Sequence, residues 1–238
     1  MNEPRIIVAL DFSNATQALN LTAQLDPQLC RLKIGKELFT AAGPSLVEQL
    51  IRDGFDVFLD LKFHDIPNTV AGACKVAASM GVWMMNVHAL GGKKMLLAAR
   101  EAVPPGTAKL IAVTLLTSMG RDDLDDIGLH EEPEQIVQRL ALLTENCGLD
   151  GVVCSALEAA SLRQLVSSGF NLVTPGIRLG DNRHDDQKRV TTPSLAIKSG
   201  ADYLVIGRPV TQAHDPLSIL RQLNQTVQNE RPASPFNA

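Results

Sequence analysis

The feature that most constrains this chain is a regular alternation of short apolar runs with longer segments of helical periodicity. Each run has the length of a strand, and the runs are almost all apolar, as expected when both faces of a strand are buried. Eight runs fit this description, at residues 5–10, 29–34, 55–61, 83–87, 110–115, 151–154, 172–174 and 203–206. Strands of this kind are typical of a parallel sheet covered by helices, so the pattern predicts eight β/α units.

Eight such units close naturally into a (β/α)8 barrel, the TIM barrel of the α/β class. We expect residues 1–230 to form this barrel as a single domain and residues 231–238 to form a frayed C-terminal tail. The alternative is an open doubly wound sheet, which carries Gly-x-Gly-x-x-Gly after its first strand. The first apolar run is followed by Asp11-Phe12-Ser13-Asn14 instead, which favours the barrel.

Composition argues against several function classes. The 238 residues carry a net charge of -4 at pH 7 and show no basic stripe, so we expect no nucleic-acid partner. No apolar stretch approaches the roughly 18 residues of a membrane span, and the N-terminus lacks the pattern of a secretory signal. The four cysteines form neither a Cys-x-x-Cys pair nor a zinc pattern. We therefore expect a cytoplasmic protein with free, buried thiols and no membrane association.

Several predicted strands end in ionisable residues, at the edge where a barrel of this kind places its site. Asp11 follows the first strand, Lys33 lies in the second, and the third ends in Asp60-x-Lys62 with Asp65 just beyond. Because strand residues two apart face the same side, Asp60 and Lys62 are predicted to share the barrel mouth. A polar strand end often only reaches water, but grouping several charges costs desolvation and usually serves a function.

A second signal follows the last predicted strand, where the sequence reads Gly207-Arg208-Pro209. Backbone N–H groups and the start of a helix can hold a phosphate there, with Arg208 completing the contact. Alone, the motif is compatible with an ordinary turn, but barrels often bind phosphate at the ends of strands seven and eight. The two longest loops, residues 118–133 and 176–193, are typical of functional lids.

Together these segments resemble the orotidine 5'-phosphate decarboxylase family, in its bacterial form. The most specific match is the run Phe58-Leu59-Asp60-Leu61-Lys62-Phe63-His64-Asp65-Ile66-Pro67-Asn68-Thr69. The other matching segments are Ala9-Leu10-Asp11, Lys33-Ile34-Gly35, Leu116-Thr117-Ser118-Met119, Thr174-Pro175-Gly176-Ile177-Arg178 and Ile206-Gly207-Arg208-Pro209. The resemblance covers essentially the whole chain. It implies a homodimeric enzyme that converts orotidine 5'-monophosphate to UMP and CO2 without a metal or cofactor, the last step of de novo UMP synthesis.

The resemblance also implies roles for individual residues. Lys62 would protonate C6 of the pyrimidine within a charged array that contains Lys33, Asp60 and Asp65. Asp65, Ile66 and Thr69 would reach the site of the neighbouring subunit. The ribose would be contacted by Asp11, Lys33 and the neighbour's Thr69. The base would be contacted by Thr117, Ser118 and Pro175. The phosphate would be bound by Gln187, Arg208 and the Gly207 amide, with Arg178 in the same region.

Two other functions stay open at this point. A Mg2+-dependent sugar-phosphate decarboxylase or aldolase on the same barrel would use the Asp residues near strand three to help hold the metal. Residues 66–69 favour the nucleotide enzyme over this alternative. The other is a catalytically silent barrel that binds a nucleotide; the presence of all three residues Asp60, Lys62 and Asp65 argues against it. No role is predicted for His64 or His88.

Overall fold

The eight predicted strands all form and close into a barrel. The computed structural model describes residues 3–179 and 191–230. Its strands are β1 (Ile6–Leu10), β2 (Arg31–Gly35), β3 (Val57–Phe63), β4 (Met84–His88), β5 (Lys109–Val113), β6 (Gly151–Val153), β7 (Asn171–Thr174) and β8 (Tyr203–Ile206). Each strand pairs in parallel with the next, and β8 pairs with β1. The predicted (β/α)8 fold is therefore confirmed.

Helices connect the strands and surround the barrel. They are α1 (Ala15–Thr22), α2 (Lys36–Ala42), α3 (Pro44–Arg52), α4 (Pro67–Ser79), α5 (Gly92–Ala102), α6 (Arg121–Asp125), α7 (Pro133–Asn146), α8 (Ala156–Leu165), α9 (Pro193–Lys198), α10 (Arg208–Thr211) and α11 (Pro216–Asn229). Several begin with proline in the first turn, where the missing N–H costs no hydrogen bond. The start of α8 is fixed by Ser155, whose hydroxyl accepts from Leu157 N while Glu158 accepts from Ser155 N.

The strand side chains divide into two apolar layers. Ile6, Val8 and Leu10 of β1 join the large cluster that packs the barrel wall against the helices. Ile7 and Ala9 of the same strand join a smaller cluster with residues of β3, β4, β5, β7 and β8. This alternation places the smaller cluster inside the barrel.

A packed cation closes the amino-terminal end of the barrel. The guanidinium of Arg31, which is only 3% exposed, lies 4.1 Å from the centre of the Trp83 ring and 5.3 Å from that of Tyr203. Arg31 Nε also lies 2.9 Å from Asp56 Oδ2. Because this end is filled, the carboxyl ends of the strands are the side at which a ligand can enter the interior.

The structure differs from the sequence prediction at several element ends. β3 continues to Phe63, two residues beyond the predicted strand, and a second helix, α2, precedes α3. The loop 118–133 contains the short helix α6. The domain limits at residues 1–230 stay a prediction, and the proposed tail 231–238 lies outside the described residues.

Two further predictions about the chain can be compared with the described residues. Cys30, Cys74, Cys147 and Cys154 are free and buried, as expected. No helix of residues 3–179 and 191–230 combines the length and apolar character needed to cross a membrane.

Candidate active site

A cavity of about 450 Å³ lies at the carboxyl ends of the strands, a size suited to a small-molecule ligand. Its wall includes apolar side chains from the barrel interior, among them Ala9, Phe58 and Val205. Its lining also contains ten of the predicted site residues: Asp11, Lys33, Asp60, Lys62, Thr117, Ser118, Pro175, Arg178, Gly207 and Arg208. The fold thus brings together residues that are almost 200 positions apart in the sequence.

The centre of the site is a row of alternating charges. Lys33 Nζ lies 3.2 Å from Asp11 Oδ1 and 3.4 Å from Asp60 Oδ2, and Lys62 Nζ lies 2.6 Å from Asp60 Oδ1. Lys33 and Asp60 are 8% and 9% exposed, so each depends on the other for charge compensation. Lys62 is more accessible than Lys33 and Asp60, with 27% of its side chain exposed, so its ammonium group can meet a ligand in the cavity.

These charges control the protonation of Asp60. Burial alone would raise the pKa of its carboxyl group, but Lys33, Lys62 and hydrogen bonds from Lys62 and Asn86 outweigh burial and hold that pKa below its usual value. Asp60 is therefore a carboxylate at neutral pH.

Asn86 on β4 links the two central residues, although the sequence did not single it out as a site residue. Its Nδ2 donates to Asp60 Oδ1 at 2.7 Å, and its Oδ1 accepts from the backbone N–H of Lys62 at 2.7 Å. The available signal was an amide side chain in a predicted strand, at residues 83–87, that is otherwise apolar. Because a buried amide must find partners, such a residue points to a polar network inside the barrel.

The backbone at Lys62 departs from regular strand geometry. Its φ angle is +54°, the only positive φ of a non-glycine residue in the part of the chain that the structure describes. The β3–β4 register also shifts between Leu59 and Phe63. Asp60 and Lys62 share the mouth as predicted, but strict alternation along β3 is not the reason: a bulge turns Lys62 back toward Asp60.

Three predicted site residues lie apart from the cavity of their own chain. Asp65, Ile66 and Thr69 are exposed and are absent from its described lining. Asp65 Oδ1 accepts from the backbone N–H of Ile66 at 2.6 Å, at the start of α4. Gln187, the predicted phosphate ligand, lies outside the described residues.

The two histidines near the mouth stack on each other. The ring centres of His64 and His88 are 5.3 Å apart with an angle of 28° between the planes. Burial is the largest cause that lowers the pKa of His88, and together with His64, Lys62 and Lys36 it brings that pKa to about 4. His88 is therefore neutral at pH 7 and adds no positive charge to the site.

The fold and this cavity define a class: (β/α)8 barrels whose strand ends present lysine, aspartate and arginine side chains to one cavity. The sequence model described as "Orotidine 5'-phosphate decarboxylase / HUMPS family" matches residues 4–223. The chain therefore belongs to the orotidine 5'-phosphate decarboxylase / HUMPS family, and the resemblance noted in the sequence is confirmed.

Individual relatives match over almost their full length. Proteins named orotidine 5'-phosphate decarboxylase from Nitrosospira multiformis and Nitrosomonas eutropha are 64% and 65% identical, over 100% and 95% of this chain and 99% and 98% of their own. A crystal structure of orotidine 5'-phosphate decarboxylase from Lactobacillus acidophilus has a TM-score of 0.85 at 36% identity, with 95% of this chain and 99% of that chain covered.

Proposed function

We propose that this protein decarboxylates orotidine 5'-monophosphate to UMP and CO2, the last step of de novo UMP synthesis, without a metal or cofactor. The observation that carries the proposal is the Asp60 carboxylate held between Lys33 and Lys62, in a cavity that also contains Gly207 and Arg208. The names of the relatives from Nitrosospira and Nitrosomonas support this choice of substrate.

The chemical step places negative charge on a carbon atom that cannot spread it. When the bond from C6 to the carboxylate breaks, its electron pair remains on C6 in an orbital orthogonal to the ring π system. The Lys62 ammonium stabilises this charge as it develops, and one of its protons then passes to C6. The neutral amine of Lys62 regains a proton from solvent, which completes the balance.

Asp60 has two effects in this proposal. It holds Lys62 Nζ at 2.6 Å, and its negative charge opposes the carboxylate of the bound substrate, whose loss relieves that repulsion. Both oxygens of Asp60 are already engaged by ammonium and amide groups, which supports a site that works through lysine rather than through a divalent cation bound by Asp60.

The phosphate supplies binding energy away from the reacting carbon. Gly207 and Arg208 line the cavity at the end of β8, and Arg178 lines it beyond β7. The barrier must fall by an amount on the order of 20 kcal/mol, and one Lys–Asp pair supplies only part of that. Contacts to a remote phosphate can supply more by holding the base against Lys62. Gln187 is proposed to join them from the loop 176–193.

The remaining cavity residues are assigned to the nucleoside. Asp11 and Lys33 are assigned to the ribose hydroxyls; their side chains meet at 3.2 Å beside Asp60, which supports a shared ligand. Thr117 and Ser118 follow β5 and are assigned to the polar edge of the pyrimidine, with Pro175 against the ring.

We also propose a homodimer with shared sites. Asp65, Ile66 and Thr69 belong to the run after β3 that resembles the family's signature, yet they lie exposed and apart from their own cavity, which a role at the neighbour's site would explain. Ile66 is 66% exposed, and α4 and α5, which pack together, expose Val76 and Leu97 as well. Exposed large apolar side chains on two neighbouring helices support a protein interface on this side of the barrel.

One experiment separates this function from its alternatives. The protein is incubated with orotidine 5'-monophosphate in the presence of EDTA, and the loss of the substrate's absorbance is followed. We expect full activity with the chelator. Activity abolished by EDTA and restored by Mg2+ would point to the metal-dependent enzyme, and UMP binding without turnover would point to a silent barrel. The cytoplasmic location stays a prediction, which the free thiols support.

A further inference from the structure

Asn86 is a wholly buried amide side chain in the middle of β4, and both of its polar atoms are directed at the proposed catalytic pair. Oδ1 accepts from the Lys62 backbone and Nδ2 donates to the Asp60 carboxylate, each at 2.7 Å. Asn86 is absent from the described lining of the cavity, so it contacts Asp60 and Lys62 without lining the cavity itself.

The bulge in β3 lies opposite Asn86. Between Leu59 and Phe63 the third strand advances four residues, while β4 advances only two, from Met85 to Val87. The extra residues of β3 move Lys62 out of the regular hydrogen-bond pattern between β3 and β4. The side-chain oxygen of Asn86 accepts a hydrogen bond from the Lys62 backbone N–H instead. The left-handed backbone at Lys62 is unfavourable for a residue with a Cβ, so a contact that holds the bulge is needed to maintain it.

The other hydrogen bond of Asn86 fixes the direction of the Asp60 carboxylate. Oδ1 of Asp60 accepts hydrogen bonds from Asn86 Nδ2 and from Lys62 Nζ. Oδ2 of Asp60 therefore faces Lys33. A rotated carboxylate could not keep both lysines in place. One side chain therefore holds the backbone of Lys62 and the carboxylate that positions its Nζ.

We propose that Asn86 is a positioning residue that sets the rate of the chemical step by holding the Lys62 bulge and the Asp60 carboxylate in one arrangement. The inference rests on the proposed decarboxylase function. It adds a residue on β4 that acts through Asp60 and Lys62.

The first test is Asn86→Leu, which keeps the approximate volume and removes both hydrogen bonds. We expect kcat for orotidine 5'-monophosphate to fall by about 100-fold or more, since displacement of a reacting group by about 1 Å has effects of that size. KM and the Kd for UMP are expected to stay within about threefold, because the contacts assigned to the phosphate and the base do not depend on Asn86. The matched control is Thr144→Val, which removes another buried hydrogen bond, from Thr144 Oγ1 to Leu140 O at 2.7 Å in α7, and is expected to keep wild-type kcat.

The second test is Asn86→Asp, which keeps an acceptor for Lys62 and places a carboxyl group against Asp60. Two carboxyl groups at this distance share one proton, so the pKa of one of them rises. The protonated form can again donate to Asp60. We therefore expect kcat of this variant to increase relative to wild type as the pH falls, a profile that a purely structural role would not produce.

The outcomes are distinguishable. A kcat within threefold of wild type for folded Asn86→Leu overturns the inference, and so does a KM increase that equals the loss in kcat/KM. If Asn86→Leu does not fold, the pH profile of Asn86→Asp decides, and a profile parallel to that of wild type overturns the inference. If wild-type protein itself shows no decarboxylation, the proposed function fails rather than the role of Asn86.

Discussion

At the scale of single residues, Lys62 carries the largest predicted effect. Lys62→Ala removes the proposed cation beside C6 and the proposed proton donor, so we expect nearly all turnover to be lost while UMP still binds. Steady-state kinetics and UMP titration measure the two quantities. Lys198→Ala, which removes a more exposed lysine at the end of α9, is the matched control and is expected to retain wild-type turnover. Turnover of Lys62→Ala within tenfold of wild type would refute the assignment.

Arg208 tests the phosphate end of the cavity. Arg208→Ala is expected to raise KM for the nucleotide while leaving the slow reaction of the unphosphorylated nucleoside unchanged, because only the former offers a phosphate to the guanidinium. Arg221→Ala, an exposed arginine on α11, serves as the control for loss of charge. Equal losses for nucleotide and nucleoside would show that Arg208 does not bind the phosphate.

His88 gives the protein a predicted pH dependence of stability. Burial and nearby positive groups lower its pKa from 6.5 to about 4, so on acidification the unfolded chain takes up this proton before the folded chain does. The free energy of unfolding should therefore decrease as the pH falls from about 6.5 to 4. His88→Gln should reduce the slope of the unfolding free energy against pH by less than about 1.4 kcal/mol per pH unit, because the His88 ring is partly exposed. Urea titrations at several pH values measure the slope, and parallel curves for the two proteins would contradict this.

The site residues differ in how far the sequence could identify them. Asp11, Lys33, Asp60 and Lys62 follow from counting charges at strand ends, since a closed parallel barrel brings all strand ends to one rim. Asn86 could not be identified in this way. The proposed function of Asn86 depends on a bulge in the neighbouring strand. The hydrophobic pattern of a strand that is buried on both faces does not change when an extra residue is inserted, so the sequence does not predict this bulge.

At the scale of elements, the close approach of β6 and β7 leaves no room for a side chain at one glycine. A Cβ added to Gly151 of β6 would lie 2.3 Å from the backbone oxygen of Asn171 in β7, and a backbone atom cannot move aside as a side chain can. Gly151→Ala should lower the free energy of unfolding by about 1–3 kcal/mol, measured by urea denaturation. Gly169→Ala, just before β7, meets nothing within 4 Å and is the control. Equal stability of the two variants would contradict the prediction.

The limits of sequence reading at this scale have a common physical cause. Strands β1 to β8 were found because apolar runs of strand length are required wherever both faces are buried. Helices α2, α6, α9 and α10 were not separately identified, since they have only four to seven residues and cannot show a helical period. The position of β3 was predicted, but its extension to Phe63 depends on pairing with β4 after the bulge.

At the scale of the whole molecule, the proposed homodimer predicts that two chains build each site. Lys62 lines the cavity of its own chain, whereas Asp65 is exposed and lies apart from it. If Asp65 serves the neighbour, Lys62→Ala and Asp65→Ala damage different halves of the same site. Each variant alone should be nearly inactive.

Mixing the two variants after reversible dissociation then gives a distinctive result. In a mixed dimer one site carries both substitutions and the other carries neither, so activity returns. Random exchange of equal amounts should restore about a quarter of the wild-type sites, because half of the dimers are mixed and each has one intact site. Activity is measured with orotidine 5'-monophosphate before and after exchange, and each variant exchanged with itself is the control. If the mixture stays inactive although exchange is demonstrated, Asp65 does not act across a dimer interface.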